Sequence, residues 1–517
     1  MATRLPAILL VAAAAILGCA HPKGITRWHE VTGASFSLRS CGDPDETLAL
    51  AADLAETRAT LQSLLPEIPD TDRVPFHLSI FCRSDEYGEL APHPHQANHF
   101  VAALRGADLR VEHSYEGLRV ATATTERGTR MAARGAQLRP ASDLIRHHYI
   151  HHLIRAHVDV PLWIEEGLAA FVGTAIRVPG GVQRGHAQSG MFDLVELETQ
   201  IPFDRVLRAT DLRTWPRRDK VFFYRSSWLI THFLHFGSIA KEEPASPRLL
   251  RFAETYAKRG DEHEAAEAAF GRSTIRLRSD VDRYLSVHKL LLKRGRVQPP
   301  MDASGGAGLA IQTVKEQDLA YGLGVFALEN GDAETAEAHF NTAVLTDPES
   351  AAAHAGRARA LALQGRWDPA MASLEHAEQL AASDARVLLD GAWLLTARAN
   401  SAAAVTDDLR NARSRAAQAA ELYPELAEAH YRLAQTYELA SERTARIDAL
   451  ERAHAAAPGA IDVALALAAG RAEVGRIEEA RELGSRVAGW VLGERRDRDV
   501  YAFLDALPEP SNVAARD

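Results

Sequence analysis

An interval of 34 residues, repeated through the C-terminal half, constrains this chain more than any other feature. Gly331-Asp332 returns as Gly365-Arg366, Ser441-Glu442 returns as Gly475-Arg476, and Pro424 returns as Pro458, each 34 positions on. A unit of that length holds two helices and their turns, and one such unit cannot bury its own apolar face. The units must therefore stack on one another. Alanines at Ala336, Ala343, Ala370, Ala377, Ala429 and Ala453 fall where paired helices have to approach closely. Between residues 365 and 441 the interval is 76 rather than 68, a slip of eight, and the surplus is assigned to Ala397–Thr406. About four units are expected, some of them degenerate.

The run Gly331-Asp332-Ala333-Glu334-Thr335-Ala336-Glu337-Ala338-His339-Phe340, followed by Asp347-Pro348, resembles the end of a tetratricopeptide (TPR) unit. The resemblance implies an all-α TPR-like solenoid over residues 313–490. The concave face of such a solenoid binds proteins or peptides, a function implied here by analogy of fold.

A chain of 517 residues is too long for one small core, so further domains are expected. The net charge is −10 and no basic run occurs, which argues against nucleic acid as a partner. At the start, Arg4 precedes an apolar stretch from Leu5 to Leu17, too short for an ordinary membrane span. It ends Ile16-Leu17-Gly18-Cys19, which resembles the bacterial lipobox. The resemblance implies a signal peptide over 1–18, lipidation of Cys19, and membrane attachment in the bacterial cell envelope. Ala20 follows the cysteine, which points to the outer membrane. In such an oxidising space Cys41 and Cys82 are a candidate disulfide, with two separate buried thiols as the alternative.

Residues 30–125 read as a small α+β unit. Phe36 and Leu38 alternate with polar residues, as in a strand, and Leu50, Leu54, Leu61 and Leu65 lie at helical spacing before Pro66. Phe76, Leu78, Ile80 and Cys82 mark a second strand, and segments around Phe100, Val111 and Val120 are expected to be extended. From Ser142 to His235 the pattern is helical. One helix runs from Ser142 to about Ala156, another follows Pro161, and a third spans Phe222 to Phe236. Pro299, Pro300, Gly305, Gly306 and Gly308 mark a linker. The expected domains are 19–295, a linker over 296–312, the array over 313–490, and a tail over 491–517.

The helical segment carries Arg146-His147-His148-Tyr149-Ile150-His151-His152. His147 and His151 are four apart, one helical turn, so both imidazoles fall on one face and can hold one metal ion. Glu166, 15 residues after His151, is the expected third ligand. Two imidazoles and a carboxylate suit Zn²⁺ with an open fourth position. His148 with His152 is an alternative register, and Glu165 could serve as ligand or base in place of Glu166. His93, His95 and His99 are read as surface residues, and His232 and His235 as packing residues or an exposed helix edge.

Two motifs, His147-His148-Tyr149-Ile150-His151 and Trp163-Ile164-Glu165-Glu166-Gly167, resemble those of gluzincin-type peptidase MA-like domains, which often precede TPR repeats. Phe223-Tyr224-Arg225-Ser226-Ser227-Trp228 resembles the third block of that family, and the likeness spans roughly residues 30–290. It implies an α+β zincin-like domain: a small mixed sheet with a helical subdomain holding zinc on His147, His151 and Glu166. The family's general-base glutamate is replaced here by His148. An imidazole beside a cation resists protonation, which weakens it as a proton shuttle. Three functions follow as expectations. The chain is a zincin-like scaffold with impaired catalysis, or an active zinc peptidase using another base, or a TPR adaptor that binds no metal.

Overall fold

The computed structural model describes residues 27–33, 36–70, 76–81, 98–103, 106–112, 141–178, 181–186, 202–212, 214–288, 295–297, 309–329, 331–490 and 497–508. The segment around Cys19, Cys82, His93 and His95, and the extended segment expected near Val120, lie outside the described residues.

Alternation of apolar and polar residues builds the first layer. Strands β1 (His29–Thr32), β2 (Phe36–Ser40), β3 (Phe76–Phe81), β4 (Asn98–Ala103), β5 (Gly106–Glu112) and β9 (Ile311–Thr313) form a six-stranded sheet in the order β4-β5-β3-β2-β1-β9. β2 pairs with β3, and β3 with β5, in parallel; the other pairings are antiparallel. The parallel β2–β3 pair requires a crossover, and helix α1 (Pro44–Gln62) supplies it, started by Asp43, whose carboxylate accepts from the amides of Asp45 and Glu46. Leu50, Ala51, Leu54 and Leu61 of α1 and Phe36, Leu38, Phe76, Leu78 and Ile80 of the strands are buried in one core. At the end of β2, Cys41 is disulfide-bonded, and its amide donates to Ile80 O at 3.3 Å.

The second layer is helical: α2 (Ala141–His157), α3 (Leu162–Gly173), the short α4 (Phe203–Leu207), α5 (Arg217–Phe236), α6 (Ala245–Arg259), α7 (Glu262–Phe270) and α8 (Thr274–His288). A small sheet of β6 (Ile176–Val178), β7 (Gly181–Arg184) and β8 (Gly295–Val297) flanks it. Tyr149 of α2 packs on the sheet, its ring 4.9 Å from Phe76 and 6.2 Å from Phe36. Arg146 fixes the helix from the other side. Its guanidinium spans Asp53 of α1 at 3.1 Å and the carbonyl of Gly173 at 2.9 Å.

The C-terminal half is a stack of helix pairs. These are α9 (Glu316–Glu329) with α10 (Ala333–Thr346), α11 (Ala351–Leu363) with α12 (Trp367–Ala381), α13 (Ala385–Ala399) with α14 (Asp408–Leu422), α15 (Ala427–Leu439) with α16 (Arg443–Ala456), and α17 (Ile461–Glu473) with α18 (Ile477–Trp490). Five pairs stand among the described residues, against about four expected, because α13 and α14 lack the short turn whose recurrence marks the other four pairs. The turn inside a unit needs a left-handed residue. Gly331, Gly365, Ser441 and Gly475 fill that position with φ of 78°, 74°, 59° and 83°. Between α13 and α14 the eight residues 400–407 stand where the other pairs have three, and this longer connection supplies five of the slip of eight. It is closed by Asp408, which pairs with Arg398 and accepts from the amide of Val405 at 2.8 Å.

Two boundaries differ from the sequence reading. The stretch 296–312 was expected to be linker, yet β8 at one end pairs with β7, and β9 at the other pairs with β1. Three-residue strands carry too short a pattern to be distinguished from loop. The stretch 491–517 was expected to be a tail, yet it contains helix α19 (Asp497–Ala506). Its buried Val500 and Leu504, four apart on one face, close the end of the stack against Gly484.

The array touches the N-terminal domain at both of its ends. At the first, Trp28 and Phe81 share a core with Ala327, Leu328 and Phe340. At the other, Gly489 of α18 lies against the carbonyl of Thr210 and the side chain of Leu162, and Arg486 pairs with Asp159 at 3.0 Å.

Candidate metal centre

Helix α3 is apolar nearly all round, and every one of its residues is buried, including Glu165 and Glu166. Two carboxylates taken into such a core need partners. Adjacent helical positions point about 100° apart, so the two reach different groups, and both find His151. Glu165 Oε1 lies 2.5 Å from His151 Nδ1, while Glu166 Oε2 lies 3.6 Å from Nε2 of the same ring. Consecutive glutamates thus bracket one imidazole.

His147 stands one turn before His151 on α2. Its Nε2 is 3.2 Å from His151 Nε2 and 3.7 Å from Glu166 Oε2. Among the described residues, this is the one group of three or more His, Cys, Asp or Glu side chains whose ligand atoms lie within 4.8 Å of one another. The triangle has sides of 3.2, 3.6 and 3.7 Å. A tetrahedral zinc with bonds of about 2.0–2.1 Å sets neighbouring donors about 3.3–3.4 Å apart, so small side-chain rotations bring these three atoms onto one ion.

The other sequence candidates stand elsewhere. His148 is beside the triangle and not part of it, its ring centroid 5.9 Å from that of His147 and 6.4 Å from that of His151. His152 faces the sheet, stacked on Tyr149 and 5.6 Å from Phe76, so the His148/His152 pair does not converge on one point. His99 lies on β4. His232 is buried and hydrogen-bonded to the Tyr284 hydroxyl at 2.8 Å, and His235 stacks on Phe171, both as packing residues.

Glu165 has a second partner, which motif reading missed. Arg155 Nε donates to the same Oε1 at 2.7 Å. Burial alone would raise the Glu165 pKa, but the charges and hydrogen bonds of Arg155 and His151 outweigh it and hold the carboxylate at about 2. For His151, burial alone would lower the pKa, but the charges of Glu166 and Glu165 outweigh that and raise it to about 9. Tyr224 of α5, within the third block of the sequence reading, also feels Glu166. Burial, then the charges of Glu166 and Tyr501, push its hydroxyl above the ordinary tyrosine range.

The glycine after the glutamates has a packing reason. A Cβ on Gly167 would stand 2.3 Å from Thr231 Oγ1 and 2.6 Å from the Ser227 carbonyl oxygen. Helix α5 can lie against α3 only where that side chain is missing.

The tetratricopeptide repeat family profile matches residues 327–389. Solved structures similar to this chain include a thermophilic TPR protein of Thermus thermophilus, with 21% identity, 37% of this chain and 100% of that one covered, and a TM-score of 0.34. Another is PilF of Pseudomonas aeruginosa, at 23% identity, 36% and 87% coverage, and a TM-score of 0.29. A third is PilW, a type IV pilus biogenesis factor, at 18% identity, 37% and 87% coverage, and a TM-score of 0.30. No curated protein matches the chain. The repeat match falls on α9 to α13, and the C-terminal half of the chain contains TPR repeats, an architecture that mediates protein interactions.

Proposed function

We propose that this protein is a TPR interaction scaffold whose zincin-like N-terminal domain, residues 19–295, holds one zinc ion on His147, His151 and Glu166. The observation that carries the metal reading is the donor triangle, backed by Glu165 on the far nitrogen of His151. A carboxylate on the non-ligating nitrogen is the usual way to fix the tautomer and orientation of a metal-bound histidine. Bound zinc would supply Lewis acidity.

The chain's own residues favour a weak or absent hydrolytic step. His148 brings no negative charge to the general-base position, and a nearby dication opposes its protonation. Glu165 is a poor substitute as base. Its carboxylate is already engaged by Arg155 and His151, so it is not free to take a proton from a substrate or water. The N-terminal domain then serves as a metal-stabilised body on which the array is mounted, and the array recruits protein or peptide partners. We further propose that the chain is anchored in the bacterial envelope through lipid on Cys19, at the outer membrane. A Cys19→Ser protein that still fractionates with membranes would contradict the anchor.

Elemental analysis of the purified chain tests the centre. Wild type should carry close to one equivalent of zinc and His147→Ala only a trace; equal content in both would remove the ligand assignment. Peptidase assays then separate scaffold from enzyme. His148→Glu should raise activity above a wild-type baseline near background. Metal-dependent cleavage by wild type that disappears in Glu166→Ala would establish the active-peptidase reading instead.

A further inference from the structure

Resting on the zinc reading, we propose that the repeat array is part of the metal site's support: Trp490 positions Arg155, Arg155 positions Glu165, and Glu165 fixes the imidazole of His151. The chain of contacts is continuous. The guanidinium carbon of Arg155 sits 5.5 Å from the centroid of the Trp490 ring, at the end of α18. Arg155 Nε donates to Glu165 Oε1 at 2.7 Å, and the same oxygen lies 2.5 Å from His151 Nδ1. Arg155 is one turn beyond His151 on α2, so a shift of its side chain acts on Glu165 without passing through either ligating histidine.

Three contacts from the array converge on this short segment. Besides Trp490, the turn before α17 brings Gly459 so close that a Cβ there would lie 3.2 Å from Arg155 Cβ. Arg486 reaches Asp159, four residues further on, at 3.0 Å. Between them lies a cavity of about 180 Å³ whose walls include Arg155, Glu165, His454, Arg486 and Trp490. The Glu165 carboxylate therefore forms part of the boundary between the two halves of the molecule. Its orientation is set by Arg155 together with His151, and the ring of Trp490 from the array faces the Arg155 guanidinium. A guanidinium is held by such a face in a defined plane, which is what a directional Nε–H bond to a carboxylate needs.

The two ends of the array are anchored, so a partner that bends its middle strains one anchorage or the other. Release of Trp490 would loosen Arg155 and, through Glu165, the metal. Arg155 and Trp490 are positioning residues in this scheme, and neither touches the ion.

Zinc affinity of the full-length purified chain, measured by competition with a chromophoric chelator at low temperature with thermal melts in parallel, is the test. Outer partners of a ligating histidine typically contribute 10–100-fold to metal affinity. Arg155→Ala should therefore weaken zinc binding by at least about 10-fold, and Trp490→Leu, which keeps apolar bulk and removes the π face, by about 3–10-fold. Trp490→Phe should restore most of the loss. Should Trp490→Leu fail to fold, the decision passes to Trp490→Phe with Arg155→Lys, which keeps the charge and lacks the Nε fork. Near-wild-type affinity in the first and weakened affinity in the second support the relay. Zinc affinity unchanged in Trp490→Leu, with only its melting temperature lowered, overturns the array's part in it. Wild type that takes up no zinc overturns the metal reading itself, and the relay with it.

Discussion

All twelve residues of α3 are buried, whereas α10 in the array fully buries only Ala336, Phe340 and Ala343 and leaves its other residues partly or fully exposed. The two helices meet different neighbours. Helix α3 is enclosed by α2, α5 and the packing beneath them, and each side chain has a partner found once in the molecule. Helix α10 meets α9 and α11, and the same kind of contact recurs one unit later. A fault in α3 therefore has nowhere to relax, while a fault in the array is absorbed by one interface among several.

Glycines at tight contacts measure that difference. At Gly167 the obstacle to a Cβ includes backbone, the Ser227 carbonyl oxygen at 2.6 Å. At Gly356 it is the far edge of the Phe340 ring, at 2.4 Å, a side chain that can turn. Gly167→Ala should cost about 1–3 kcal/mol from overpacking, even after the gain in helix propensity of about 1 kcal/mol. Gly356→Ala should come out smaller, with that propensity gain offsetting much of the strain. Urea denaturation of both variants checks this, and equal costs would erase the contrast. Gly167→Ala should also lower zinc affinity, since moving α3 moves Glu166.

What could be read from the sequence divides along the same boundary. The array declared itself through repetition. Positions such as Gly331 and Gly365 are equivalent because one turn recurs, so the slip of eight could be assigned to Ala397–Thr406, which overlaps the long connection at 400–407. The candidate site was legible only as a motif, and His147, His151 and Glu166 do stand together. Its support was not legible. Arg155 is an ordinary helical arginine by pattern, and Trp490 lies 335 residues further along the chain. No local period links them, because only the return of the array onto α2 brings them together. Strands β1 and β9 were missed for a related reason. They are short, and their pairing is made by partners nearly 300 residues apart.

The array also offers a test of how far its units are equivalent. Ser441 holds the left-handed turn at φ 59°, where Gly331, Gly365 and Gly475 stand in other units. A side chain in that conformation costs about 1 kcal/mol. Ser441→Gly should recover most of this, less the entropy glycine gains in the unfolded chain. A net stabilisation of a few tenths to 1 kcal/mol is expected by denaturant midpoint. Destabilisation would mean that Ser441 makes a contact its glycine counterparts lack, and that the units differ where they look alike.

The last effect falls at the seam between the two halves, and it is visible only through pH. His454 of α16 lines the cavity beside Arg155 and Arg486. Burial, then the charges of Arg486 and Arg471, hold its pKa down at about 4, against 6.5 for a free imidazole. A folded-state pKa below the unfolded one means that the unfolded chain binds a proton the folded chain refuses. The stabilisation is thus complete above pH 6.5 and is lost as pH falls towards 4. His235, also held at about 4, mainly by burial, titrates over the same window, so the wild-type profile alone cannot assign the loss to the seam. His454→Gln separates them. Its stability between pH 6.5 and 4 should fall less steeply than wild type, by up to about 1.4 kcal/mol per pH unit, the limit for one proton. The difference should vanish above pH 7 except for a constant offset. If the two curves run parallel through the window, His454 takes up its proton as readily in the folded chain as in the unfolded one. The seam would then be wetter than its packing implies, and Trp490 would face an arginine that water already reaches.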